Sequence, residues 1–149
     1  MKDAATPETW KILRTVFLAA ILIATVAGVV SSQLVETPPI EGSTATFVFV
    51  ALLFVSVLEM ALAKYVTSKS IENATGSLSP RDQAAAVGFG MAAAIALYGL
   101  VMGSISGKWF YVVPFGVIAI VAWQMVGAFV QTLPDARETA DPFSMRSDI

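Results

Sequence analysis

The sequence contains no cysteine and no histidine among its 149 residues. These two residue types are the commonest protein ligands of zinc, haem and iron–sulfur clusters, and they supply most nucleophile–base pairs in enzymes. We therefore expect no metal site and no cofactor, and we place a membrane enzyme behind non-catalytic alternatives. Without cysteine no disulfide is possible, so the composition carries no information on redox compartment.

Charged residues are also scarce, at 13% of the chain, where a soluble domain usually has about 25%. Hydrophobic residues make up 56%, and the mean hydropathy is +0.75. Too little polar surface remains to cover an exterior in water, which indicates that a lipid bilayer surrounds much of the chain. The net charge of −2 argues against nucleic acid as a partner, because phosphate binding needs a basic face.

Four apolar stretches predict four membrane spans, at residues 12–30, 46–63, 84–105 and 109–130. Each has close to the ~20 residues that a helix needs to cross a bilayer. A spanning segment must satisfy its own backbone hydrogen bonds, and barrel strands would be shorter and would alternate apolar with polar residues. The sequence therefore predicts an all-α, polytopic membrane protein with four transmembrane helices in an antiparallel bundle.

On this prediction residues 1–134 form the transmembrane domain, and the polar residues 135–149 form a flexible cytoplasmic tail. The run at residues 12–30 is longer than the apolar core of a signal peptide, so we expect it to be retained as a helix. Thr6-Pro7-Glu8 and Ser79-Pro80-Arg81-Asp82 are typical of helix starts, with a capping side chain, proline at the first helical position and an early acid. Gly107-Lys108 leaves a very short connection, which predicts a tight hairpin of the third and fourth helices.

Positive charges are distributed asymmetrically across the predicted bundle. Eight of the nine fall on one side: Lys2, Lys11, Arg14, Lys64, Lys69, Arg81, Arg137 and Arg146. Only Lys108 falls on the other side. Because cytoplasmic loops carry an excess of Lys and Arg, the asymmetry predicts a protein of the cell membrane with both termini in the cytoplasm.

The third predicted helix has a row of small residues at spacings of three or four. The row consists of Ala84, Gly88, Ala92, Ala96, Gly99 and Gly103, and a second row consists of Ala86, Gly90 and Ala94. Small side chains let helix backbones approach closely in lipid, where little hydrophobic force acts between helices. The rows fit either a central helix of one bundle or a helix with one face on another subunit.

Glu59 is the only acid within a predicted span. A carboxylate at membrane depth is expensive and is a functional candidate by default. We place it one to two turns from the cytoplasmic end of its helix, level with Arg14, so an interhelical ion pair is one interpretation and a proton or cation site is another. Gln124 lies at a similar predicted depth. It either hydrogen-bonds across helices, as Tyr98 and Trp123 also can, or forms a polar pocket with Glu59 and Arg14.

The run from Ser79 to Gly103 contains Ala96-Leu97-Tyr98-Gly99-Leu100-Val101 after a segment with Pro80 and Arg81. It resembles the carboxylate-bearing second helix of rotary ATPase proteolipid (c-type) subunits, which often reads Glu-Ala-x-x-x-Tyr-Gly-Leu-Val. The family's ion-binding carboxylate would fall near Ala93, where this chain has no acid. The resemblance covers about a sixth of the chain and implies a related helix packing without that ion site.

Two functional hypotheses remain ahead of the membrane enzyme. The first is a non-catalytic accessory or structural subunit that packs against other membrane subunits or forms a homo-oligomer. Its support is the small-residue row of the third helix and the scarcity of reactive groups. The second is a small proton- or cation-coupled transporter or channel that uses Glu59.

Overall fold

The computed structural model describes residues 9–72 and 79–133, and in these ranges it contains four long α-helices and no strand. The helices are α1 (Thr9–Leu34), α2 (Gly42–Glu72), α3 (Pro80–Ser106) and α4 (Val112–Gln131), with a 3₁₀ turn at Trp109–Tyr111. Each is long and apolar enough to cross a membrane. The predicted all-α fold with four transmembrane helices is confirmed.

Two predicted features lie outside the described residues. They are the helix start at Thr6-Pro7-Glu8 and the tail at residues 135–149.

α2 continues well beyond the apolar stretch that predicted it. The stretch ends at Ala63, but the helix ends at Glu72 and is 31 residues long, or about 46 Å. Residues 64–72 contain polar side chains but no glycine or proline, so nothing stops the helix where the apolar run stops. Apolar length therefore measures the part of a helix that lipid can cover and does not locate its end.

α3 is the central helix, because it packs more extensively against the other three than any other helix does. α4 runs antiparallel beside it, and α1 and α2 pack on opposite sides of the α3–α4 pair rather than on each other. The loop between α1 and α2 therefore crosses the end of α3, where the Ile40 N–H donates to the Ile105 carbonyl at 3.2 Å. Val35 and Pro38 of this loop lie against Gly107.

The first small-residue row of α3 lies inside the single-chain bundle. Ala84, Ala92 and Ala96 are at most 1% exposed, and Gly88, Gly99 and Gly103 are buried. A Cβ built on Gly99 would lie 3.0 Å from Phe115 of α4. One built on Gly103 would overlap the Gly28 carbonyl of α1. Close backbone approach on this face thus joins α3 to α4 and α1.

The second row faces away from the rest of the bundle. Ala86 and Ala94 are half-buried, and a Cβ built on Gly90 would meet nothing within 4 Å. On α3, therefore, one small-residue face is used inside the chain and the other is open.

The hairpin of α3 and α4 forms as the sequence predicts. Gly107 adopts φ +63° and closes α3 by donating its N–H to the Gly103 carbonyl at 3.1 Å. At the other end, Ser79 caps α3, since its Oγ accepts the Asp82 N–H at 3.1 Å and its hydroxyl donates to Oδ2 of Asp82 at 2.8 Å. Arg81 Nε donates to the Val130 carbonyl at 3.1 Å, which ties the start of α3 to the end of α4.

The described positive charges gather at one end of the bundle, which we call the basic end. It holds Lys11 and Arg14 near the start of α1, Lys69 near the end of α2, and Arg81 at the start of α3. Lys108, between α3 and α4, lies at the opposite end.

Candidate functional site

Glu59 on α2 is bound by Tyr98 on α3. The Tyr98 hydroxyl donates to Oε1 of Glu59 at 2.9 Å, while Oε2 of Glu59 is buried and has no hydrogen-bond partner among residues 9–72 and 79–133. The carboxyl group thus has one donor where an ionised carboxylate accepts several. This half-satisfied acid lies inside an apolar span, where an unpaired polar atom is costly.

Arg14 on α1 is bound by Trp123 on α4. The guanidinium carbon lies 4.7 Å from the centroid of the Trp123 ring, and the indole N–H donates to the Arg14 carbonyl at 2.9 Å. Nε of Arg14 is buried, and no described residue accepts a hydrogen bond from it. A cation over an indole ring is attracted by the ring's negative face, so the contact holds the guanidinium in place without a carboxylate.

Arg14 and Glu59 are not brought together. Glu59 lies further from the basic end than the sequence predicts. Because α2 ends at Glu72 rather than Ala63, Glu59 lies about three and a half turns from that end. Arg14 of α1 lies beside Gly127 of α4. The preceding residue of α4, Val126, and Thr67 of α2 both lie against Gly88 of α3, so Arg14 is level with Thr67.

Thr67 is eight residues beyond Glu59 on α2, or about 12 Å nearer the basic end. The two charges are thus at different depths, and they sit on helices from opposite sides of the bundle. An ion pair between them is absent from the described part of the chain.

Gln124 faces outward from α4 and makes no hydrogen bond to Glu59 or Arg14. Its side chain is exposed and makes no hydrogen bond within the described chain. The neighbouring Trp123 turns inward and is 8% exposed. The polar pocket of Glu59, Gln124 and Arg14, one of the sequence-based interpretations, is therefore not assembled in this chain.

A small pocket lies between α2 and α4, nearer the basic end than Glu59. Its volume is about 30 Å³. Its lining consists of Met60, Ala63, Thr67, Ala122, Met125, Val126 and Phe129.

Among its lining residues only Thr67 carries a hydroxyl, whose Oγ1 is buried and has no hydrogen-bond partner in the described part of the chain. A water molecule needs two or more polar partners, so this largely apolar cavity is a poor site for one.

Sequence reasoning did not identify the partners of the two charged residues. The sequence indicates only that Tyr98 and Trp123 can hydrogen-bond inside their spans. It does not identify their partners, because hydropathy does not give the rotation of each helix about its axis. A usable signal exists in retrospect, since Tyr98 and Trp123 are the only residues of α3 and α4 that combine a large ring with a polar hydrogen. Such side chains usually find a partner when buried.

Ala93, where the proteolipid resemblance would place a carboxylate, is half-buried on α3. Glu59 of α2 contacts the same helix at Tyr98, which is five residues after Ala93. Among residues 9–72 and 79–133, no cluster of three acidic side chains could hold a metal ion.

Four apolar helices, with α3 at their centre, define a small multi-pass membrane protein. No protein family, curated protein or solved structure matches the chain. Its function is therefore argued from its own residues.

Proposed function

We propose that this chain is a non-catalytic accessory or structural subunit of a complex in the cell membrane. It packs on its neighbour through the outer face of α4. We define this face by its exposed residues, which are Val113, Val117, Val121, Gln124, Ala128 and Gln131. The observation that carries the proposal is the unpartnered amide of Gln124 in the middle of this face.

An amide has two donor hydrogens and an accepting oxygen, and all of them need partners in hydrocarbon. Leaving such a group unpaired costs roughly 2–7 kcal/mol, depending on the reference state. Gln124 lies seven residues before the end of α4 at Gln131, or about 10 Å into the span. Glutamine at this depth typically hydrogen-bonds to another helix, and residues 9–72 and 79–133 offer it no partner.

The direction of α4 strengthens this argument. Side chains tilt toward the N-terminus of their helix, and α4 begins at the end opposite the basic end. The Gln124 side chain is thus directed away from the nearer interface, so it does not reach water easily. A polar group on a neighbouring membrane helix satisfies it at the least cost.

The open small-residue face of α3 supports the same function. Ala86, Gly90 and Ala94 offer a second surface on which a neighbouring helix can approach closely. This surface is on the side of the bundle opposite the outer face of α4, because α3 turns its buried row toward α4. A subunit with two such surfaces can join two membrane neighbours.

The proposal includes the orientation of the chain. The basic end lies in the cytoplasm, and Lys108 and residues 35–41 lie on the other side of the cell membrane. The support is the positive-inside rule, because the loops are short and the charge asymmetry is eight to one.

The test is photo-crosslinking in the native membrane followed by gentle extraction and mass measurement. A photoreactive side chain at Ala128, on the outer face of α4, is expected to yield a defined adduct heavier than the 15.7 kDa chain. The same group at Val26, exposed on α1, is the control and is expected to yield only lipid adducts. Gln124→Leu is expected to reduce the Ala128 adduct, whereas Gln33→Leu, at an exposed position near the end of α1, leaves it unchanged. A monomer with only lipid adducts at both positions would refute the proposal.

A second function is favoured by one observation, the buried Oε2 of Glu59 that lacks a partner. A proton on this oxygen would remove the charge from the span, and a bound cation would balance it, so Glu59 fits a proton- or cation-coupled transporter or channel. A single four-helix bundle is narrow for a conduction path, so this function would require more than one copy.

Reconstituted protein tests this second function directly. Proton and monovalent-cation flux is measured for the wild type, Glu59→Gln and Tyr98→Phe in vesicles of one lipid composition. Coupled transport requires flux in the wild type that Glu59→Gln abolishes. Equal flux in all three proteins would eliminate Glu59 as the coupling group.

A further inference from the structure

The guanidinium of Arg14 is held in a slot between α1 and α4. Trp123 forms one wall, with its ring 4.7 Å from the guanidinium carbon. Gly127 forms another, since a Cβ built there would lie 3.3 Å from Nε and 3.4 Å from Cζ of Arg14. The missing side chain at Gly127 is what lets the guanidinium lie against the α4 backbone.

The contacts fix the position of this cation but leave its hydrogens unused. Arg14 makes no hydrogen bond through its guanidinium within the described chain, and its Nε is buried. The indole N–H of Trp123 donates to the Arg14 backbone carbonyl and not to a ligand. Planar, fixed donors that face no protein acceptor are arranged for a ligand that carries acceptors and a negative charge.

We infer that Arg14, Trp123 and Gly127 form a binding site for the phosphate group of an anionic phospholipid, in the membrane leaflet at the basic end. Guanidinium binds phosphate through two parallel hydrogen bonds, which an ammonium group does not reproduce. Arg14 lies five residues after the start of α1, or about 8 Å from that end. Its guanidinium lies beside Gly127, four residues before the end of α4, or about 6 Å from the basic end. The Arg14 side chain tilts toward that end and the Gln124 side chain tilts away from it, so the guanidinium lies nearer the headgroups than the Gln124 amide.

The same two helices offer a path for the acyl chains of such a lipid. Leu22 on α1 and Ile120 on α4 are exposed apolar side chains further from the basic end. A free anion would leave this apolar surface to other lipids and gain nothing from it. The site therefore favours a lipid over inorganic phosphate, and it is independent of the function proposed for Gln124 and Glu59.

The experiment is a thermal-unfolding titration of the full chain in detergent. Phosphatidylglycerol, phosphatidylcholine and inorganic phosphate are added separately, and native mass spectrometry counts the bound lipid. The wild type is expected to retain one phosphatidylglycerol and to gain Tm with it, but not with the other two. Arg14→Gln is expected to weaken phosphatidylglycerol binding about tenfold or more, as loss of a charge-assisted hydrogen bond implies.

Two further variants keep the result interpretable. Lys69→Gln removes one positive charge from the same end of the bundle and is expected to bind phosphatidylglycerol as the wild type does. Arg14→Lys keeps the charge but loses the planar fork, so it is expected to bind more weakly than the wild type and more tightly than Arg14→Gln.

Three outcomes would overturn the inference. One is equal weakening by Arg14→Gln and Lys69→Gln, which indicates general charge attraction. Another is an equal gain of Tm with phosphatidylcholine. The third is an equal gain with inorganic phosphate, which assigns the slot to a free anion.

Discussion

Tyr98 on α3 donates a hydrogen bond to Glu59 on α2 across 2.9 Å, at a depth where both helices are otherwise apolar. α2 has few other polar contacts with the bundle. Near the opposite end, the Thr46–Tyr111 contact of 3.1 Å is a second side-chain hydrogen bond between α2 and the rest of the bundle. The Glu59–Tyr98 bond therefore sets the register of α2 against α3 near mid-span.

Removing the Tyr98 hydroxyl tests this role. Tyr98→Phe keeps the ring and leaves both carboxyl oxygens of Glu59 without a donor, so we expect a loss of about 1–3 kcal/mol in the free energy of unfolding. Thermal unfolding in detergent measures it, and Tyr65→Phe is the control, because Tyr65 is 61% exposed. Equal Tm values for the two variants would show that the bond contributes nothing to stability.

The two small-residue faces of α3 predict opposite responses to an added methyl group. Gly103→Ala places a Cβ against the Gly28 carbonyl and Val112. Backbone atoms cannot move far to make room, so we expect the free energy of unfolding to fall by about 1–3 kcal/mol or more. Gly90→Ala meets open space and removes a flexible residue from a helix, so stability is expected to be unchanged or slightly higher.

Unfolding of the two alanine variants side by side in the same detergent provides the measurement. If Gly90→Ala were as destabilising as Gly103→Ala, the face at Gly90 would be covered in the isolated chain.

The Ser79 cap predicts a local effect at the start of α3. Ser79→Ala removes the acceptor of the Asp82 N–H and is expected to cost about 1 kcal/mol. Amide hydrogen exchange at Asp82 should accelerate more than exchange in the middle of α3. Ser104→Ala is the matched control, since the Ser104 hydroxyl bonds only the Leu100 carbonyl of its own helix; a similar acceleration there would argue against the cap.

The absence of cysteine makes the orientation testable with single labels. Glu36→Cys, in the loop between α1 and α2, is expected to react with a membrane-impermeant maleimide on intact cells. Thr132→Cys, at the end of α4, is expected to react only after permeabilisation. The reversed pattern would place the basic end outside the cytoplasm and contradict the positive-inside assignment.

The four helices and the hairpin of α3 and α4 were predictable because each depends on local sequence. Apolar length sets a span, Ser79-Pro80 starts α3, and Gly107 permits the left-handed turn that ends it. The centrality of α3 was indicated by its two small-residue rows. These features require no knowledge of how the helices are arranged around one another.

The partners of Glu59 and Arg14 depend on that arrangement and were not predictable. Apolar run length placed the end of α2 at Ala63, which set Glu59 too close to the basic end. Hydropathy also gives no order of helices around the bundle, so it did not show that α1 and α2 are separated by α3 and α4. A pair can be proposed from sequence only when both depth and neighbourhood are known.

The separation of α1 from α2 has a consequence for how the protein is made. Synthesis delivers α1 and α2 to the membrane before α3 exists, and these two helices have no interface of their own with which to associate. We therefore expect α1 and α2, joined by residues 35–41, to remain unpacked in the bilayer until α3 inserts between them and α4 completes the hairpin. Assembly of this protein is thus a late event that depends on its third helix, and a chain halted after α2 would hold two inserted but unassembled helices.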